Sequence, residues 1–455
     1  MSNRLKNWLT KVNKIEVKLK TFPNIIKYGI LVSSIGLIVE VIGLKLPIGA
    51  VCIIESKINN KTFEIEAEVV GFKNKKLLLM LLNEPIVMAP GLKVFPKIDS
   101  SGIVLDKKLP IGKKLLGRIL DGNGQPVDKL GKLKYEFLSS LSSTTINPLE
   151  RKPITNILDP GIRAINGLLT LGKGQKIGIF ATAGVGKSIL LEMMMRSINV
   201  DVIVIGLIGE RSREIKECIE VICKENNFFR SIVIIAPSNV SPILRIQATL
   251  YASKIAEYFR SQNKDVLLVI DSLTRYAMAQ REVSLAIGEF PISKGYASSI
   301  YSQLPLLIER AGNGVKKNES ISAFYTILTE QNEFNDPISD IARSVLDGHI
   351  VLSKQYADSG HFPAIDIEKS VSRVMHRLVD KNHYTQSLHF KKLVACYQRN
   401  KDLINMGAYI SGTDFVLDES IRLWPQLIKF LQQNFFENIF YKKSYEELKN
   451  IFNEN

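Results

Sequence analysis

Three short stretches carry residue types whose spacing could do chemistry together. The first, Ala181-Thr182-Ala183-Gly184-Val185-Gly186-Lys187-Ser188, lies between an apolar run (IGIF) and an apolar, Met-rich segment (SILLEMMMR). Glycines at 184 and 186 let backbone N–H groups converge on an anion, and a helix starting there adds partial positive charge. In a phosphate-binding turn of this kind the lysine reaches the β- and γ-phosphates and the serine hydroxyl ligates Mg2+. The strict pattern begins with Gly where this chain has Ala181, so the strand before and the helix after carry the assignment. The second stretch, VLLVIDSLTRYA, ends an apolar strand on Asp271. Open α/β sheets bind ligands at that carboxyl edge, and nucleotide hydrolases place a Mg2+-holding carboxylate there. The third, GERSRE from Gly209 to Glu214, follows the strand VIVIGLI. Such a cluster is either a solvated loop or a catalytic rim, in which Glu210 would polarise an attacking water. The three together predict a nucleoside triphosphate hydrolase.

These residues need a rigid frame, and the patterning supplies one. From about 98 to 378, short and nearly all-apolar runs (KIGIFA, VIVIGLIG, SIVIIAP, VLLVIDS, AFYTIL, HIVLS) alternate with helical stretches. This predicts a parallel sheet covered by helices on both faces. Residues 25–97 hold β-rich runs separated by turns, including GILVSSIGLIVEVIG, FEIEAEVVGF and KKLLLMLL, and read as a small β-barrel. Residues 379–455 read as helical, notably LHFKKLVACYQRNKDLIN and SIRLWPQLIKFLQQNFFENIF. At the start, Leu5, Trp8, Leu9, Val12, Ile15 and Leu19 follow helical spacing with lysines and Arg4 off the stripe, giving a basic amphipathic helix over 1–24. Its stripe either packs on the body of the protein or docks a partner or anionic lipid.

Composition bounds the rest. A chain of 455 residues with 45% hydrophobic and 23% charged residues is a folded protein of two or three domains. The balance of 60 Lys+Arg against 45 Asp+Glu gives +15; such an excess suits nucleic acid or an acidic membrane surface, but the lysines are scattered, as in a general compositional bias. Cys52, Cys218, Cys223 and Cys396 form no CxxC pair, which argues against structural zinc or a disulfide framework and for a reducing cytosol. The start has no apolar core of a secretory signal. The most membrane-like segment, Tyr28 to Ile54, is broken by Glu40, Lys45 and Pro47 and reads as strands, so no transmembrane helix is expected.

The longer motifs resemble the rotary-type ATPases. GERSRE, VLLVIDSLTRYAMAQREV, GEFPISKGYASSIYSQLPLLIERAG, DPISDIARSVLDGHIVLS and HFPAIDIEKSVSRVM carry that likeness over nearly the whole chain. Ala at the first position of the phosphate turn also fits the family. Within the superfamily, YQRNKDLINMGAYISGTD (Tyr397 to Asp414) is similar to the signature of export ATPases, and the flagellar type III export branch is the best match, with the injectisome branch as the alternative. The resemblance implies an α/β fold: an N-terminal β-barrel, a central RecA-like nucleotide-binding domain and a C-terminal helical domain. It implies that Ala181 to Ser188 hold the phosphates, that Ser188 and Asp271 organise Mg2+, and that Glu210 positions water with Arg211 beside it. Phe362 matches the aromatic that stacks on adenine, and Arg373 the arginine finger that reaches into a neighbouring subunit's site. One chain carrying both Glu210 and Arg373 implies a homohexameric ring, in which identical subunits complete each other's sites. Implied partners are an export-ATPase regulator at the N-terminal helix, a central stalk protein, chaperone–cargo complexes, the export gate and acidic membrane lipid. The implied location is the cytoplasmic face of the inner membrane at the flagellar base. A Rho-type RNA motor shares the barrel-plus-phosphate-turn plan, but an RNA-binding barrel needs aromatics interleaved with basic residues. Residues 25–97 offer mainly aliphatics, so no nucleic acid partner is expected. A non-catalytic ring subunit would have no use for a water-activating Glu210.

Overall fold

A computed structural model describes residues 27–453 except 59–60, 84–87, 99–106, 144–145, 225–226, 317–318 and 330–335, together with Trp8, Lys11, Val12 and Ile15. The expected amphipathic helix over 1–24 lies outside the described residues apart from those four, which are helical. The chain divides into two compact units, Met1–Asp106 and Lys107–Asn455.

The first unit is a closed barrel of six strands: β1 (Gly29–Ile35), β2 (Ile38–Ile42), β3 (Val51–Ile58), β4 (Lys61–Lys73), β5 (Lys76–Leu81) and β6 (Lys93–Pro96), in the order β1-β2-β5-β4-β3-β6. Strict alternation drives closure. On β4, Ile65, Ala67 and Val69 point into the barrel while Glu64, Glu66 and Glu68 stay outside it. A closed sheet leaves no unpaired edge.

The second unit is built on a nine-stranded sheet. Its main path uses β7 (Arg118–Asp121), β8 (Lys176–Ala181), β9 (Val202–Ile208), β10 (Ser231–Ala236), β11 (Asp265–Asp271), β12 (Ser320–Leu328), β13 (Gly348–Leu352) and β14 (Ile365–Ser372). The order is β14-β13-β8-β12-β11-β9-β10-β7, parallel throughout except for the antiparallel pair β13–β14. Every residue of β8 and β9 is buried, as a sheet covered on both faces demands. The two faces bury separate cores. Ile177, Ile179, Ile205, Leu207, Leu267 and Val269 face one, and Phe180, Val204, Leu268 and Ile270 the other. The edge strands β7 and β14 are too short or too polar to stand out in the sequence, and β7 pairs with β10 across more than a hundred residues.

Helices follow the strands: α1 (Lys187–Ser197), α2 (Ser212–Lys224), α3 (Pro242–Ser261), α4 (Leu273–Ile287), α5 (Ser298–Glu309) and α6 (Pro337–Val345). The carboxyl-terminal region forms α7 (Lys381–Asn405), α8 (Phe415–Leu431) and α9 (Tyr441–Asn453). Phe390, Leu427, Phe430 and Leu448 of these helices pack into the same core as α1 and β8. The run SIRLWPQLIKFLQQNFFENIF, expected to be helical throughout, corrects to a helix ending at Leu431 and an irregular segment over 432–440. Gln433 explains the departure. Its Nε2 donates to Gly161 O at 2.9 Å and to Glu437 O at 2.9 Å, and its Oε1 accepts from Arg163 N at 2.8 Å. These tertiary bonds replace the helical ladder. Gln433→Ala strands buried partners on the 161–163 loop, so urea denaturation should show a loss of about 1–3 kcal/mol; an unchanged midpoint would contradict this account of the segment.

Candidate active site

The turn from Ala181 to Ser188 leaves the carboxyl end of β8. Gly184 (φ +81°) and Gly186 (φ +89°) adopt left-handed conformations that other residues enter only with strain. A Cβ at Gly184 would meet nothing within 4 Å, so the dihedral, not space, requires glycine there. Val185 is buried in the core and pins the turn. Thr182 Oγ1 is buried without a hydrogen-bond partner among the described residues, an unmet polar group inside the cradle.

Sheet order brings the three sequence stretches together. Between β8 and β11 lies only β12, and β9 flanks β11 on the other side. The carboxyl ends of β8, β11 and β9 therefore share one edge. Lys187 Nζ donates to Asp271 Oδ1 and lies 3.5 Å from Glu210 Oε1. The intervening strand contributes Thr326, whose Oγ1 donates to Asp271 Oδ1 at 2.6 Å. All three charged side chains are about nine-tenths buried.

Burial sets the electrostatics. Desolvation pushes the Glu210 carboxyl up to about 7; Lys187 opposes this, while Asp271 and a hydrogen bond with Glu214 reinforce it. Burial works against the Lys187 ammonium, but Asp271 and Glu210 outweigh it and hold its pKa above the ordinary value. Ser188, Glu210 and Asp271 line one cavity of about 230 Å³. A hydroxyl and a carboxylate there are the hard oxygen donors that suit Mg2+, so these residues fit the ion.

On the other side of α1 lies a second, apolar cavity of about 330 Å³, lined by Gly186, Ile189, Phe362, Pro363, Gln433 and Phe435 among others. The Phe362 ring is 45% exposed and would lie 3.5 Å from a Cβ at Gly186. It therefore borders both the phosphate turn and the cavity. Two of the expected residues are not gathered in. Arg211 is exposed at the start of α2 and lines neither cavity. Arg373 is also exposed, following β14, with its Nη2 donating to Arg343 O at 2.9 Å. Its backbone N–H donates to Asp347 O, and Asp347 N–H to Lys176 O, which places it at the amino end of β8. The length of that strand, about 16 Å by its rise per residue, separates it from Ala181.

Sequence reasoning missed four contributors. Thr326 was visible only as a polar residue inside the apolar run AFYTIL. Arg275, four residues after Asp271, packs against Gly209 and lowers the Glu210 pKa. Gln433 and Phe435 belong to a segment that reads as helix, and nothing local marks them.

The folded protein holds the Glu210 proton more tightly than the unfolded chain, whose glutamates titrate near about 4.3. This group's contribution to stability is present below that value and is lost as pH rises toward about 7. Glu210→Gln should flatten the pH dependence of the melting temperature between these limits; an unaltered slope would show that Glu210 titrates normally. Thr326→Val keeps the volume but frees one Asp271 oxygen, and Mg2+-dependent nucleotide affinity should fall by about 0.5–1.5 kcal/mol in calorimetry.

The nucleotide-binding domain model of the ATP synthase alpha/beta family matches residues 161–372, and the T3SS EscN ATPase C-terminal domain model matches residues 379–450. The flagellum-specific ATP synthase of Buchnera aphidicola subsp. Acyrthosiphon pisum is 54% identical over 99% of this chain and 97% of its own length. That of Salmonella typhimurium is 51% identical over 99% of both. Among solved structures, the assembled ATPase EscN of the enteropathogenic E. coli type III secretion system is 39% identical, with a TM-score of 0.86 over 93% of this chain and 99% of that one. The buried Lys187–Asp271–Glu210 edge thus sits in a chain that belongs to the flagellum-specific ATP synthase family of ATPases, within the ATP synthase alpha/beta group.

Proposed function

We propose that this chain hydrolyses ATP in a homohexameric ring and thereby energises flagellar protein export. The observation that carries the reading is the contact of Lys187 with Asp271 beside Glu210 at the mouth of a glycine-bent turn. In the proposed mechanism the backbone N–H groups of 181–188 and Lys187 grip the β- and γ-phosphates, and Thr182 Oγ1 donates the hydrogen bond it lacks in the free protein. The adenine stacks on Phe362 against the apolar wall that includes Phe435. Ser188 and Asp271 would hold Mg2+, which when bound would neutralise charge on the phosphates. With the phosphates in place Lys187 would have a stronger partner than Asp271, leaving that carboxylate available as an oxygen donor. Glu210, poised near 7, orients the attacking water and takes up its proton.

Arg373 lies at the wrong edge of the sheet to serve its own subunit, so its proposed target is the site of a neighbour. The solved relative EscN is described as assembled, and also in complex with its central stalk EscO, a structure 38% identical to this chain with a TM-score of 0.82. By analogy, a stalk protein threads the ring proposed here. The flagellar reading is favoured over injectisome export because the flagellar relatives reach 51–54% identity. The type 3 secretion system ATPase of Xanthomonas euvesicatoria is 39% identical. On this reading the ring works at the cytoplasmic face of the inner membrane at the flagellar base. The basic segment 1–24 docks a regulator and acidic lipid, and chaperone–cargo complexes and the export gate are the other partners. Among the described residues no helix is long and apolar enough to cross a membrane.

Mixing tests both the chemistry and the assembly. Glu210→Gln should bind ATP normally but lose about 10²–10⁴ in turnover; Arg373→Ala should lose about 10³–10⁵. Mixed rings bring an intact Glu210 from one variant beside an intact Arg373 from the other, so combining two inactive proteins should restore part of the activity. Failure of the mixture to recover any hydrolysis, with both variants still oligomeric, would defeat the shared-site reading. Near-normal turnover of Glu210→Gln alone would remove Glu210 from the mechanism.

A further inference from the structure

Arg373, the arginine read as reaching a neighbouring site, is itself held by a second arginine. Its backbone N–H donates to Asp347 O at 3.0 Å. Its side chain turns to the carboxyl end of α6, where Nη2 donates to Arg343 O at 2.9 Å. The last four carbonyls of a helix have no partner within it; here Ala342 O accepts from Leu346 N–H and Arg343 O from the Arg373 guanidinium. Such a bond also places the cation at the negative end of the helix dipole. The residue that offers this carbonyl is anchored by its own side chain. The Arg343 guanidinium lies over the Phe180 ring, 4.9 Å from its centroid, and its Nε is buried without a hydrogen-bond partner among the described residues. Phe180 is fully buried on β8, one residue ahead of the phosphate turn, and its ring meets His349 of β13 edge-on at 5.8 Å. Gly178 makes room for it: a Cβ there would lie 2.7 Å from both Phe180 Cε2 and Leu346 Cδ1.

We propose that Arg343 is a positioning residue for Arg373: stacked on Phe180, it fixes the carbonyl from which Arg373 is presented to the neighbouring subunit. This role presupposes the shared-site reading of Arg373. Two observations carry it. A buried donor without a partner is costly, and an aromatic face offsets that cost only in part. A leucine would cover Phe180 with no such penalty, so packing of α6 against the sheet does not by itself account for an arginine at 343. The second observation is that one residue makes both contacts. Its guanidinium rests on the ring and its carbonyl receives Arg373, so any shift of the last turn of α6 displaces the Arg373 guanidinium with it. An arginine side chain carries about 2 kcal/mol of rotamer entropy. Tying Nη2 down in the free subunit removes part of that cost beforehand and leaves the other N–H groups of the fork for an anion. Arg343 lines neither cavity beside α1, so its action is on Arg373 and not on the nucleotide of its own subunit.

Complementation between full-length variants in mixed rings tests this role. Arg343→Leu alone should bind ATP with unchanged affinity in calorimetry and lose about tenfold to a hundredfold in turnover, the scale of a reacting group displaced by about 1 Å. Mixed with Glu210→Gln, whose Arg343 and Arg373 are both intact, it should regain part of that loss. Mixed with Arg373→Ala it should regain nothing, because neither variant presents a correctly aimed arginine. An Arg343 that served its own site would give the reverse pattern, recovery with Arg373→Ala and none with Glu210→Gln. That pattern would overturn the proposal, as would near-normal turnover of Arg343→Leu. If Arg343→Leu does not assemble, Arg343→Gln takes its place in the same three measurements. The pair Glu210→Gln with Arg373→Ala is the control. Its failure to recover removes the shared-site reading and this role together; its recovery beside an Arg343 variant that fails the pattern overturns this role alone.

Discussion

One buried ammonium organises the catalytic edge. Lys187 is taken out of water between Asp271 and Glu210, and an ion so placed is tolerated only when it is paired and hydrogen-bonded. The pairing in turn fixes the strand order. Asp271 and the turn that carries Lys187 leave strands separated by β12 alone, and β12 supplies the Thr326 hydroxyl that fills the remaining need of Asp271 Oδ1. Exchanging β12 for either neighbour would move the carboxylate out of reach or leave it without that donor. The second carboxylate then creates an excess of negative charge that a buried site cannot hold at low cost. The response is chemical: Glu210 keeps its proton up to about pH 7. A carboxyl tuned to that range is a far better proton acceptor near neutrality than an ordinary one.

Helix α1 converts this edge into a larger site. Its first residues carry the phosphate turn, and its two long faces border two cavities of different character. Its far end is tied to the cavity bordered by Phe362 as well. Arg196 lies over the Phe435 ring at 5.0 Å and donates to Phe435 O, while Gln433 N–H donates to Phe362 O at 3.1 Å. Helix α1 is thus bonded to the 432–440 segment, which walls the Phe362 cavity and leads into α9.

What could be read from the sequence, and what could not, divides along the range of the interactions. The apolar runs of β8, β9, β10 and β11 are legible because a strand buried on both faces has no choice of residue type. The turn at 181–188 is legible because its glycines answer a local dihedral demand. Asp271 and Glu210 are legible because each ends such a strand. Thr326, Gln433 and Phe435 are not, because their positions follow from pairings across dozens to hundreds of residues. For Gln433 a helical pattern runs straight through the position, and bonds to Gly161 and Arg163 override it. The antiparallel edge strand β14 was hidden for a similar reason: its charged residues Glu368 and Lys369 interrupt any apolar run, and only pairing with β13 makes it a strand.

The same geometry argues for completion from outside the subunit. Glu210, Lys187 and Asp271 together hold one cation against two carboxylates; Arg275 acts on Glu210 from beside Gly209, while Arg211 and Arg373 stay out of that cluster. Arg211 is turned to solvent, and Arg373 is anchored through Asp347 to the amino end of β8. A strand cannot be shortened by side-chain motion, so no rotamer of Arg373 closes a gap of about 16 Å. An exposed arginine held by its own backbone, at the opposite edge of the sheet from the Lys187–Asp271–Glu210 cluster, is what a head-to-tail ring would need. In such a ring each subunit presents the arginine on one side and the phosphate turn on the other. On the proposed reading, hydrolysis would then be a property of the contact between subunits.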